Sequence, residues 1–269
     1  MIKIIIYCVN YNSYSSLSNF IPSVEEAAEY AVKDNGCQLC IDLCIADNTE
    51  ENVQAINVNG SNINIKVFPF HKNYGYFGGV QKMMESVSPL DYDYAIISNV
   101  DLSLAKDAIL KLARLSQDSD TGWIAPQIYS EDEHRDKNPR IPTRYSKRKL
   151  QMLKLTFQFP LLHTLHKKTV YRRKEFIQHS PGPVYAGHGS FIILTKKYFE
   201  KCGIINYPVF LFCEEIYLGE NCRIQGLKVI YNPEIKIIDS EHVSTGKINN
   251  KRFCKFNYDA ISYILKTFY

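Results

Sequence analysis

Short apolar runs alternate with stretches of helical periodicity over the first 126 residues. Residues 2–9, 41–46, 63–68 and 93–98 are apolar runs of strand length, too short to be read as helices. Between and after them, residues 16–34, 51–58, 78–87 and 105–116 carry helix-like content. Strand–helix alternation of this kind predicts an α/β fold with a Rossmann-like, mostly parallel central sheet flanked by helices. In such sheets the ligand crevice lies at the carboxyl ends of the strands. Asn10–Asn12, Asp47 and Asn48, His71–Gly79 and Asn99–Asp101 are therefore the positions where chemistry is expected.

The pattern changes after Pro126 and recovers near Gly187. Residues 190–195 read as a strand, 196–202 as a short helix, and 214–226 as a helix stopped at Gly226. Lys228–Tyr231 and Ile235–Asp239 read as further strands. Phe253, Phe256, Ala260, Ile261, Ile264, Leu265 and Phe268 recur at helical spacing, which predicts a C-terminal amphipathic helix packed on the domain.

At 269 residues and 45% apolar content, the chain can build one substantial core with an insertion. The net charge of +4 is too small to imply a nucleic-acid partner. It conceals a strong asymmetry, because Arg140–Lys174 holds eleven Lys or Arg and no acid, leaving the rest of the chain net negative. Apolar residues interleave with these charges: Leu150, Leu153, Phe157, Leu161 and Leu165. A basic amphipathic helical insertion of this kind suits the surface of an anionic membrane, with Pro160 ending or kinking the helix. Met1–Val9 is too short an apolar run for a signal peptide, and no stretch approaches a membrane span, so a cytoplasmic protein, peripheral on the inner face of the membrane, is expected. Cys37, Cys40 and Cys44 lack the second ligand pair of a zinc site and read as ordinary thiols.

Asp101 stands just beyond the strand Tyr94–Ser98, where a carboxylate can help hold a hard divalent cation. Asp47 ends the second strand and can accept a hydrogen bond from a nucleobase. Asn73-Tyr-Gly-Tyr-Phe-Gly-Gly79 is a glycine-rich turn opening a helix, suited to close backbone approach by a polar ligand. It has the spacing of neither the dinucleotide nor the P-loop fingerprint.

The ordered set Val9-Asn-Tyr-Asn, Ala46-Asp-Asn, Asn73–Gly79, Ser98-Asn-Val-Asp, Gly189-Ser and Cys213-Glu-Glu-Ile-Tyr-Leu resembles the family 2 glycosyltransferases, in their rhamnosyltransferase-like branch. The resemblance runs from about residue 3 to residue 246, apart from the basic insertion. It implies the GT-A fold and inverting transfer from a nucleotide-sugar, here a UDP- or dTDP-sugar with Mn²⁺ or Mg²⁺. By resemblance, Val9, Asn10, Tyr11, Asn12 and Asp47 border the nucleotide. Asn73, Gly78, Gly79, Asn99, Val100 and Asp101 complete the donor site. Asp101 and His242 match metal ligands, and Asn99 stands where many members have Asp. Glu215 matches the catalytic base, with Glu in place of the usual Asp. Glu214, Gly189 and Ser190 fall on the acceptor side or behind it.

These assignments divide the chain into a nucleotide-sugar half (1–126), the basic insertion (127–186), a catalytic and acceptor half (187–246) and the C-terminal helix (247–269). The expected acceptor is a glycan or lipid-linked oligosaccharide of cell-surface polysaccharide synthesis, with no nucleic-acid partner and self-association left open. Two rivals remain at this stage. A sugar-nucleotide pyrophosphorylase shares the fold but needs a Gly-rich, Arg-containing loop where this chain has Asn10–Ser13. A non-catalytic nucleotide-sugar-binding domain would keep the pocket without turnover.

Overall fold

A computed structural model describes residues 1–116, 118–164, 179–240 and 248–269. His242 and the basic residues 167–174, together with Leu165, lie outside the described residues. The core of the fold is the run β1 (Ile2–Asn10), β2 (Leu39–Asp47), β3 (Asn64–Pro69) and β4 (Tyr94–Asn99), all parallel. The sheet order is β3-β2-β1-β4-β9-β6-β10-β5. Here β5 is Leu102–Leu104, β6 Thr121–Ser130, β7 Arg135–Asp136, β8 Gly182–Val184, β9 Phe191–Thr195 and β10 Lys228–Asp239. The expected parallel sheet thus extends to β4, after which β9 enters antiparallel between β4 and β6. The two expected strands at 228–231 and 235–239 are one strand, broken in register between Asn232 and Lys236.

Alternation along β1 explains the layering, since successive strand side chains face opposite sides of a sheet. Ile4, Ile6 and Cys8 pack with Leu17, Phe20 and Val24 of α1 (Tyr14–Glu29) and with α3 (Ala108–Ala113). Ile5 and Tyr7 face the other way, toward α2 (Tyr76–Met84), α5 (Lys196–Cys202), α6 (Glu214–Ile224) and α7 (Asn250–Phe268). Both faces of the sheet are therefore covered, as its continuous apolar runs require.

The helix expected at 51–58 does not form; those residues have no regular structure and are almost all exposed. Its few apolar residues have no face to bury, and the return to β3 is fixed instead by a carboxylate. Glu25 Oε1 accepts from the backbone N–H groups of Ser61 (2.8 Å) and Asn62 (2.6 Å).

The basic segment does contain a helix, α4 (Lys147–Gln158), whose first turn is capped by Ser146 accepting from Lys149 N–H. Its apolar residues divide into two faces, which corrects the expected lipid-facing set. Leu150 is fully buried, and Leu153 and Phe157 pack against the core beside α7. Among the described members of that set Leu161 is exposed as expected, and Met152, Leu155, Phe159 and Leu162 join it. Three of its lysines have partners on neighbouring elements: Lys147 Nζ donates to the Tyr269 carbonyl at 2.6 Å, and Lys149 and Lys154 lie over the Tyr145 and Tyr258 rings.

The C-terminal helix packs on the domain as expected, with Cys254, Ala260, Ile261 and Ile264 buried. Tyr269, just after the helix, joins a polar knot around Glu220. This fully buried carboxylate on α6 accepts from Arg144, from Arg223 Nε at 2.8 Å and from the Tyr185 hydroxyl at 2.8 Å. Tyr269 stacks on the Arg144 guanidinium with 3.9 Å to the ring centroid. The paired cations hold the Glu220 carboxyl below its ordinary range despite its burial.

Candidate active site

Two polar clusters form at the carboxyl ends of β1, β2 and β4. The first is built on Asp47, which is buried at the end of β2. Its Oδ1 accepts from Asn10 Nδ2 at 3.0 Å and from Thr49 N–H at 3.2 Å, and its Oδ2 accepts from the Tyr14 hydroxyl at 2.8 Å. Thr49 Oγ1 in turn accepts from Asn12 N–H at 3.0 Å, holding the turn after β1 with Asn12 at φ 55°. Tyr11 is exposed on that turn, and Val9 packs beneath it against Gly79. A Cβ at Gly79 would lie 3.1 Å from Val9 Cγ2 and 3.2 Å from Asn48 Nδ2, so the close approach of α2 to β1 requires glycine there.

Asn48 links this cluster to the glycine-rich turn, donating from Nδ2 to the Gly75 carbonyl at 3.1 Å. Asn73 Oδ1 closes the turn on Gly75 N–H at 3.0 Å. Gly75 has φ 76° and ψ −171°, a region essentially confined to glycine. The next residue, Tyr76, crosses to the second cluster and donates its hydroxyl to the Gly189 carbonyl at 3.0 Å.

The second cluster gathers Asn99, Asp101, Gly189, Ser190, Glu214 and Glu215. Asn99 N–H donates to the Ser190 carbonyl at 2.8 Å, which ties the end of β4 to the start of β9. Gly189 N–H donates to Glu215 Oε1 at 3.2 Å. A Cβ at Gly189 would sit 3.0 Å from that oxygen, so the missing side chain makes room for the carboxylate. Burial, then the charges of Glu214 and Asp101, push the Tyr76 phenol far above its ordinary range. Those carboxylates therefore bear on the same spot from α6 and from the end of β4. Val100, between Asn99 and Asp101, turns away into the apolar layer under α1 and α3.

Adjacent residues Glu214 and Glu215 have opposite environments. Glu214 is buried, with Oε1 accepting from Phe212 N–H at 2.9 Å, whereas Glu215 is half-buried at the crevice. Burial, reinforced by the neighbouring Glu215 charge, raises the Glu214 carboxyl above the usual carboxylate range. The two residues before the pair, Phe212 and Cys213, both have left-handed backbones at φ 77° and 63°. Two non-glycine residues in that region are strained, and strain of this kind persists where surrounding contacts over-determine the backbone.

A raised carboxyl binds its proton more tightly in the folded than in the unfolded chain. Its burial therefore costs increasing stability as pH climbs from the ordinary carboxylate range toward the folded value. Glu214→Gln is expected to remove that cost, so the variant gains on wild type as pH rises, with the gain levelling off above the folded value. Urea unfolding midpoints in mildly acidic and mildly alkaline buffers check this; equal midpoint differences at both would contradict it.

Sequence patterns missed Tyr14 and Thr49, because a lone Tyr or Thr near a strand end carries no spacing signal. The fold of the chain is similar to that of two solved structures. It matches the crystal structure of GalNAc-T7 with UDP, GalNAc and Mn²⁺ with TM-score 0.58 and 13% identity, over 97% of this chain and 50% of that one. It matches S. aureus TarS 1–349 with TM-score 0.56 and 8% identity, over 89% of this chain and 60% of that one. The fold is therefore GT-A.

The chain belongs to glycosyl transferase family 2, whose family model matches residues 5–180. It is also 23% identical over 243 residues to the low-salt glycan biosynthesis hexosyltransferase Agl10 of Haloferax volcanii. That match covers 88% of this chain but only 66% of the relative's length.

Proposed function

We propose that this protein is an inverting hexosyltransferase that moves a sugar from a UDP- or dTDP-sugar to a glycan or lipid-linked hydroxyl in cell-surface glycan synthesis. The observation that carries this reading is the Glu214–Glu215 pair. One carboxylate is buried, while the other is half-buried at the crevice with Oε1 fixed by Gly189 N–H. Among the described residues, no hydrogen bond reaches Glu215 Oε2, which is available as a proton acceptor. In the reaction the acceptor oxygen forms a bond to C1 as its proton passes to Glu215. The bond from C1 to the phosphate oxygen breaks, and the electron pair leaves with the nucleotide diphosphate. Attack on the face opposite the leaving group inverts C1. Asp47 with Asn10 and the turn through Asn12 receives the nucleotide, and the Gly75–Gly79 turn lets the donor approach the backbone closely.

The donor atoms fit a divalent metal of a particular kind. Asp101 and Asn99 offer hard oxygens at one strand end, and among the described residues no cluster of three His, Cys, Asp or Glu exists to cage an ion. That set suits Mg²⁺ or Mn²⁺ held by one carboxylate, waters and substrate phosphates. Bound there, the ion would stabilise charge developing on the leaving diphosphate. GalNAc-T7, with Mn²⁺ and UDP, supports the same reading.

Nucleotide diphosphate release from UDP- and dTDP-sugars, with and without Mn²⁺, tests the activity. Slow donor hydrolysis supports transfer, while donor binding with no release would favour a non-catalytic domain. Asp101→Ala is expected to abolish metal-dependent release and to weaken Mn²⁺ binding in the presence of UDP, measured by calorimetry, whereas Asn99→Ala costs less. Unchanged Mn²⁺ binding in Asp101→Ala would remove the assignment.

The outer face of α4 supports a peripheral membrane contact. Met152 and Leu161 are 71% and 81% exposed, and Leu155, Phe159 and Leu162 continue the patch beside exposed Arg148. Among the described residues no helix is long and apolar enough to cross a membrane. Co-sedimentation with anionic liposomes is expected to fall with added salt and with Leu155→Ser and Leu161→Ser together. Equal binding to neutral vesicles would contradict the electrostatic part.

A further inference from the structure

Arg140 is placed differently from the cations just before and after it in the chain. Lys137 pairs with Asp239 at 2.8 Å, Arg135 with Glu133, and Arg144 with Glu220. Arg140 is exposed, and among the described residues no carboxylate lies within ion-pair distance of it. Its backbone is nonetheless well anchored. Asn138 donates from Nδ2 to the Pro126 carbonyl at 2.7 Å and accepts from His188 N–H at 2.6 Å. Ile141 and Ala186 exchange both backbone hydrogen bonds at 3.0 Å. This antiparallel bridge sets Arg140 opposite Gly187, two residues before the Gly189 N–H that holds Glu215.

Electrostatics agree with that placement. The Arg140 charge lowers the Tyr145 phenol against the larger upward push of burial, while Glu215 raises it, so both charges bear on one ring. Arg140 also adds to the burial that lowers His188 to about 3. His188 is therefore neutral, with Nδ1 accepting from Ser190 N–H at 3.2 Å, and it brings no competing charge. Lys149 Nζ lies 3.6 Å from the centroid of the same Tyr145 ring.

We propose that Arg140, opposite Gly187 on the Glu215 flank, binds an anionic group carried by the acceptor, a phosphate or a carboxylate near the hydroxyl that is glycosylated. The inference rests on Glu215 being the base, because the acceptor must approach the base. A guanidinium on an anchored backbone pairs with either anion through two parallel N–H bonds, and it discriminates against neutral acceptors without touching the donor.

Equilibrium binding to the intact chain, measured by calorimetry, tests this with octyl phosphate, methyl glucuronide and neutral octyl glucoside, and separately with UDP and dTDP plus Mn²⁺. Wild type is expected to bind at least one anionic probe more tightly than the glucoside, and which one binds distinguishes phosphate from carboxylate. Arg140→Gln should weaken that probe by roughly 10- to 100-fold and leave nucleotide diphosphate binding unchanged. Arg140→Lys should fall between, having charge without the fork. The proposal is overturned if neither anion outbinds the glucoside, if Arg140→Gln keeps full anion affinity, or if it loses nucleotide diphosphate instead. Wild type that binds the anion but no nucleotide diphosphate would overturn the transferase reading and leave the anion site standing. Arg140 is exposed and without an ion-pair partner among the described residues, so its replacement leaves the fold intact.

Discussion

Glu215→Gln is expected to leave nucleotide diphosphate binding intact while turnover falls by roughly 10²–10⁴, the usual worth of a positioned general base. The amide is nearly isosteric, and its oxygen can still accept from Gly189 N–H at the 3.2 Å position, so the crevice keeps its shape. What disappears is the ability to take the acceptor proton. Glu214→Gln is the control: that carboxyl is buried, with Oε1 accepting from Phe212 N–H. Single-turnover rates and UDP affinity for both variants separate the roles. If Glu214→Gln carried the large loss and Glu215→Gln did not, the two carboxylates would have to exchange assignments.

Gly75→Ala is expected to be among the most damaging single-methyl changes in the chain. A Cβ there would lie 2.1 Å from the Phe210 carbonyl oxygen, and Gly75 holds a backbone conformation closed to alanine. Overpacking and backbone strain together predict a loss of about 2–5 kcal/mol. Phe210 belongs to the loop that leads into Phe212, Cys213 and the glutamate pair, so any relief of the clash moves Glu214 and Glu215. Lower thermal stability and lower turnover should therefore appear together. Gly78→Ala, whose Cβ would meet only Tyr74 Cβ at 3.3 Å, is expected to be much milder. A Gly75→Ala variant as stable and active as wild type would show that the loop yields without cost.

Much of this fold was legible in the chain because β1 and β4 carry continuous apolar runs buried on both faces. Ile4–Cys8 and Tyr94–Ile97 announce themselves by composition alone. The positions after those strands, Asn10, Asp47, Asn99 and Asp101, followed from the rule that open sheets bind at their carboxyl ends. Less accessible was anything set by distant partners. The antiparallel entry of β9 depends on pairing with β4 and β6, which no local period reports. The absent helix at 51–58 reflects a missing face to pack on, together with Glu25 capturing residues far along the chain. Likewise α4 shows two apolar stripes in sequence, and only packing against α7 tells which of them is inside. Tyr76 bonds to Gly189 far along the chain, so the sequence marks its turn but not its partner.

The antiparallel strand between β4 and β6 also has a consequence for how the chain is made. Strands β1 to β4 can pair as soon as they emerge, since their partners are near in sequence. The outer edge of β4 then waits for β9, which follows only after β6 and the whole basic segment have been synthesised. At usual elongation rates that interval is on the order of 10 s. An apolar strand edge left open so long invites pairing with another chain. The acid-free, strongly cationic stretch translated during the wait confers mutual repulsion on neighbouring nascent chains.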